Sequence, residues 1–117
     1  MIVEIVTFNF PAGHDREKEL EAVRSVTAKW AANKDLVRKQ FLWGIGEASG
    51  TGAGVYMWPS IEAAEKAHNA EWREAVKQRT GGYPTIRYFD VMAEVDNDRG
   101  KVTEWSADGT AREVERA

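Results

Sequence analysis

Cysteine is absent from the 117 residues. That excludes disulfides, thiolate nucleophiles, iron–sulfur clusters and the soft-ligand zinc sites together. Histidine occurs only twice, at His14 and His68, too few imidazoles for a conventional metal centre, and no native transition metal is expected. Basic excess is missing as well. Sixteen Lys and Arg against nineteen Asp and Glu leave a formal charge of −3, which gives little to release counterions from a nucleic acid or to dock on an anionic membrane. No apolar run approaches the ~18 residues of a membrane span. The opening Met1-Ile2-Val3-Glu4 has no basic leader, and a carboxylate interrupts its apolar run, so it reads as a strand rather than a signal peptide. A cytoplasmic location is expected.

Aromatic residues, by contrast, are dense: five Trp, three Tyr and four Phe. In one domain of this length, which buries roughly two thirds of its chain surface on folding, rings in that number fill a core, an interface or the pocket of a flat ligand.

Hydrophobic patterning orders the chain. Residues 2–10 read as a strand ended by Pro11-Ala12-Gly13. Asp15 caps a helix to about Asn33 whose apolar stripe is Leu20, Val23, Thr27 and Trp30. Leu36 to Ile45 is a second strand, with Lys39 falling in the same alternation as Val37, Phe41 and Trp43. The glycine-rich stretch 46–54 reads as a loop, and Val55 to Trp58 as a third strand. Ser60 caps a second helix from Ile61 to about Arg79, which Gly81-Gly82 ends. A fourth strand runs from Thr85 to Val95, and Lys101 to Trp105 can return as a short strand. Residues 1–95 thus form the domain, and 96–117 a C-terminal extension, either a short strand or a dimer arm.

The order βαββαβ is the ferredoxin-like α+β pattern, a four-stranded antiparallel sheet with two helices on one face. Strands one and four carry apolar side chains in both alternation phases, Phe8 and Phe10 against Val3 and Ile5 for example. A sheet with helices on one face only leaves the other face needing cover, and a homodimer packed through the helix-free faces supplies it.

In Leu36-Val37-Arg38-Lys39, in Ala53-Gly54-Val55-Tyr56-Met57-Trp58 and in Phe89-Asp90-Val91, the chain resembles the dimeric α+β barrel proteins, specifically the antibiotic biosynthesis monooxygenase-like group and its YdhR-type monooxygenases. Asp35 and Ala53 replace glycines of the family pattern, and nothing beyond Val95 matches it. The resemblance implies a dimer with a small-molecule cavity between each sheet and its own helices. It also implies an oxidoreductase that works without a cofactor, a cofactor-independent monooxygenase of planar aromatics or quinols. Haem-degrading relatives carry a Trp and a His on the second helix where this chain has Ala67 and Lys77, so haem degradation is not implied although Asn9 is present.

On a continuous second helix His68 centres the apolar stripe, with Ile61 and Ala75 within about 20° and Ala64 and Trp72 within about 40°. Two readings stay open: a core histidine bonded to backbone, or a polar group facing a cavity. The second makes His68 the catalytic base or anion holder. Trp72, Tyr56, Trp43 and Trp58 are then candidate aromatic walls for a substrate, and Asn9 a candidate ligand-orienting amide; all five equally suit core packing or a strand-end turn. Arg38 and Arg87 fit edge salt bridges or a substrate carboxylate. His14 reads as a solvated loop residue. Gly44-Ile45-Gly46 lacks a third small residue at Ser49 and precedes a strand, which argues against a dinucleotide loop. Two other functions remain: a non-catalytic ligand-binding dimer using the same pocket, and an isomerase or lyase, which needs a second titrating group beside His68.

Overall fold

A computed structural model describes residues 1–115. The strands of the main sheet are β1 (Ile2–Asn9), β2 (Arg38–Trp43), β3 (Thr51–Trp58) and β4 (Thr85–Asp90). They are all antiparallel, in the order β2-β3-β1-β4. Helices α1 (Arg16–Ala31), α2 (Ile61–Ala67) and α3 (Ala70–Thr80) cover one face. The ferredoxin-like α+β architecture read from the sequence is therefore the one observed.

Local chemistry explains each boundary. Asp15 accepts from the Lys18 N–H at 2.8 Å and starts α1; Ser60 accepts from Ala63 N–H and starts α2. Gly81 ends α3 at φ 91°, a left-handed conformation that suits a residue without Cβ.

Four expectations need correction. The single second helix is two: Asn69 accepts from the Trp72 N–H at 2.9 Å and caps α3, while His68 leaves helical geometry at φ −110°, ψ 54°. An asparagine competes for backbone donors better at a cap than inside a helix, so the chain breaks there. The third strand begins at Thr51 rather than Val55. Gly52 and Gly54 are therefore strand residues, whose missing side chains leave room for rings: a Cβ on Gly52 would come within 2.5 Å of Phe10, and one on Gly54 within 2.7 Å of Tyr56. The fourth strand stops at Asp90, and Ala93–Asp96 (β5) pairs instead with β6 (Lys101–Trp105), which pairs with β7 (Ala111–Val114). Residues 93–114 thus form their own three-stranded meander and move the start of the C-terminal extension earlier than 96; residues 116 and 117 of that extension lie outside the described residues. The meander lengthens the molecule to 48 × 30 × 25 Å.

Alternation assigns the two faces of the main sheet. Glu4, Val6 and Phe8 of β1, Lys39, Phe41 and Trp43 of β2, and Gly54, Tyr56 and Trp58 of β3 share one set of registers. This is the helix side, where Val6, Tyr56 and Trp58 meet Trp30 and Ala64 in the core. Val3, Ile5, Leu42, Val55, Met57 and Phe89 share the other, helix-free face, where Leu42 and Phe89 stay about four-tenths exposed.

Candidate functional site

Between α1, α3 and the inner face of β1 to β3 lies a cavity of about 410 Å³. Six aromatic rings are in its walls, those of Phe8, Trp30, Phe41, Trp43, Tyr56 and Trp72. The strand registers give it a length. Lys39, Tyr56 and Glu4 share one row across the sheet, and Trp43, Gly52 and Phe8 share another four residues along. At the rise of a strand these rows stand about 13 Å apart.

Lys39 is a cation set among the rings. Its Nζ lies 3.7 Å from the Tyr56 ring centroid, 4.0 Å from Phe41 and 5.1 Å from Trp30, and the bare Cα of Gly54 gives it room. Among the described residues no carboxylate lies within ion-pair distance of it. Burial penalises the ammonium and brings its pKa down to about 7, against a smaller opposing effect of Glu4. The ring faces favour the charged form, so the amine can both accept a proton and hold an anion near neutral pH. Burial pushes the neighbouring Tyr56 phenol the other way, well above its usual range; it is a neutral wall residue.

A second polar cluster lies behind that wall. Glu4 is fully buried, and one of its oxygens, Oε1, accepts from Trp58 Nε1 at 2.9 Å and from His68 Nδ1 at 2.8 Å. The carboxylate thereby sets the proton on Nδ1. His68 is 1 % exposed and boxed by rings, with centroids 4.2 Å from Trp72, 4.5 Å from Tyr56 and 5.3 Å from Trp30. Its Nε2, the Oε2 of Glu4 and the Tyr88 hydroxyl are buried without hydrogen-bond partners. Burial, with Glu4 nearby, raises the Tyr88 pKa.

The structure brings Tyr56, Trp72 and Trp43 to the cavity wall, as a ligand pocket requires, and separates the other candidates from it. His68 does not line the cavity; Tyr56 and Trp72 stand between, because the break after Ala67 turns its ring down onto Glu4. Trp58 packs in the core and spends its N–H on Glu4. Asn9 is exposed, and its register puts it on the helix-free side, at a smaller polar depression with Thr7, Thr51 and Tyr83. Arg38 and Arg87 fall on that side as well. His14 is half-buried rather than solvated: it pairs with Glu19 at 3.0 Å and packs against Phe10 and Trp43.

The two residues that sequence reasoning passed over, Lys39 and Glu4, both carried a signal. Each is a charge in an otherwise apolar inward phase of its strand. A haem does not fit the residues present. Neither histidine lines the cavity, so no imidazole meets an iron there.

No protein-family model matches the chain, and no curated protein matches it. Solved structures do. A putative antibiotic biosynthesis monooxygenase from Bordetella bronchiseptica is 21% identical with a TM-score of 0.58, over 76% of this chain and 94% of that one. One from Deinococcus radiodurans is 11% identical with a TM-score of 0.62, over 82% and 97%. A point mutant of MhuD, crystallised with two manganese protoporphyrin IX molecules per active site, is 20% identical with a TM-score of 0.60, over 83% and 100%. At these identities the likeness is one of fold: the chain has the ferredoxin-like α+β fold of antibiotic biosynthesis monooxygenase structures.

Proposed function

We propose that the protein is a monooxygenase of the YdhR type, a cytoplasmic homodimer that acts on a planar hydroxylated aromatic held in the cavity between helices and sheet. The observation that carries this reading is Lys39, an amine set among the rings of the cavity wall with its pKa brought down by burial to about 7. A neutral amine there removes a proton from a phenol-activated methylene or a ring hydroxyl, and the ammonium so formed pairs with the delocalised anion. The rings keep water from solvating that anion.

For a methylene substrate the balance is simple. Two C–H bonds and the O–O bond break, a carbonyl forms on carbon, and the second oxygen leaves as water with both hydrogens, one of them returned by Lys39. Dioxygen is the only oxidant, and the substrate supplies all four electrons. His68, one ring behind the wall, is a positioning residue in this scheme: with Glu4 it fixes the rings of Tyr56 and Trp72.

Oxygen uptake by metal-free, flavin-free protein with an anthrone-like substrate tests the proposal. Lys39→Met is expected to lose about a hundredfold or more in rate while keeping its circular dichroism, and the wild-type rate to rise as pH passes about 7. Equal rates in the two proteins would falsify the role of Lys39. Binding of ligands without uptake from any of them favours a non-catalytic binding dimer, a reading supported by the sealing of the His68–Glu4 pair. The dimer is supported by the apolar helix-free face; light scattering that gives a monomer at every micromolar dilution rules it out.

A further inference from the structure

The charged residues of the cavity wall are Arg16, Glu19, Lys29, Lys39 and Arg79. Four of the five are cations, in a chain whose formal charge is −3. The cations are also sorted by position. Lys39 holds one end. At the other, the Arg79 guanidinium lies 5.2 Å from the Phe8 ring centroid, in the row that Phe8 shares with Trp43. Arg79 pairs with Glu19 at 3.6 Å, and Arg16 stands one helical turn before Glu19 on α1. Glu19 also engages His14. Glu19 therefore offsets one guanidinium, and the corner keeps a net positive charge.

We infer that the ligand is a rigid aromatic with acidic groups at both ends: a hydroxyl or methylene at Lys39, and a permanent carboxylate seated on Arg79 and Arg16. This rests on the cavity being the substrate site and adds the class of substrate to it. A guanidinium suits a carboxylate because its planar pair of N–H groups matches both oxygens. The half-exposed Arg79 side chain can turn from Glu19 to a ligand while Glu19 keeps its contact with His14.

The test is binding alone, by calorimetry under nitrogen, so that oxygen chemistry plays no part. The probes are a hydroxynaphthoate with its hydroxyl and carboxylate at opposite ends of the fused rings, the matching neutral hydroxynaphthamide, and a naphthol with no second group. The expected order is carboxylate tighter than amide by about tenfold, a margin that a charge-assisted pair supplies. Arg79→Gln should erase that margin, read as the carboxylate-to-amide ratio within the variant. Arg79 sits in the exposed last turn of α3; should the variant nevertheless unfold, the carboxylate-to-amide ratio in wild type, and its decline with added salt, decides by itself. Equal affinity for carboxylate and amide overturns the inference while leaving the oxygenase reading standing. Binding of none of the three overturns both.

Discussion

Two buried polar clusters face the same side of one sheet, and they are built in opposite ways. Around Glu4, polar groups face one another: Oε1 takes two donors, and rings close over His68. Around Lys39, one amine looks into open volume with ring faces for company and no carboxylate in reach among the described residues. The first arrangement stabilises and orients; removing either member strands the other. The second costs stability, and a cost that its surroundings offset only in part is what a group kept for chemistry shows. Burial differs in degree, complete at Glu4 and His68 and partial at Lys39. What separates them is whether the polar groups point at each other or at empty space.

The sharpest way to break this contrast is to remove one residue from each cluster and measure stability. His68→Ala leaves the Glu4 carboxylate buried with Trp58 as its sole side-chain donor among the described residues, and opens a void between Tyr56 and Trp72. A loss of about 3–5 kcal/mol is expected in urea unfolding. His68→Gln, which can still donate to Glu4, should recover part of it. If His68→Ala unfolds at the wild-type midpoint, the cluster is not structural, and His68 returns as a candidate for direct chemistry. In the same assay Lys39→Met moves the other way, toward greater stability, because an unpaired amine gives way to an apolar chain of similar shape.

Much of this was legible beforehand. Period-two alternation located β1, β2 and β4 and the two-sided apolar character of the sheet, and capping residues located the starts of α1 and α2, because those signals are local. Even Lys39 was visible as a charge in the wrong phase of a strand, and Glu4 as a carboxylate inside an apolar run. What misled was continuity. The helical wheel that centred His68 assumed one unbroken helix through Asn69, and the cap at Asn69 resets the phase, so Ala75 and Ile61 end exposed while His68 turns inward. Gly52 and Gly54 read as loop because glycine is rare in strands; here the rings of Phe8, Phe10 and Tyr56 occupy the space that side chains would need. Neither fact is available until distant elements meet. The meander was half seen for the same reason: β7, Ala-Arg-Glu-Val, has no apolar pattern of its own and is a strand because β6 pairs with it.

The smaller effect sharpens the comparison through pH. Lys39 titrates near 7 in the folded protein and near 10.4 in the open chain, so between these values the unfolded state binds more protons than the folded state. Wild-type stability therefore rises with pH across that window, and the full cost of the buried ammonium is present below it. The groups facing the amine come from every neighbouring element: Glu4 on β1, Tyr56 on β3, Arg16, Glu19 and Lys29 on α1 and Arg79 on α3. Neither arginine loses its proton in this range, and burial keeps Tyr56 neutral through it. Lys39→Met should therefore gain most over wild type at pH 6, and the gap should narrow steadily toward pH 10, as read from paired urea midpoints. A gap of constant size over that range would mean that Lys39 keeps an ordinary amine pKa. The amine would then be solvated through the cavity mouth, and the contrast between a cluster paired with itself and an unpaired amine would fail at the amine.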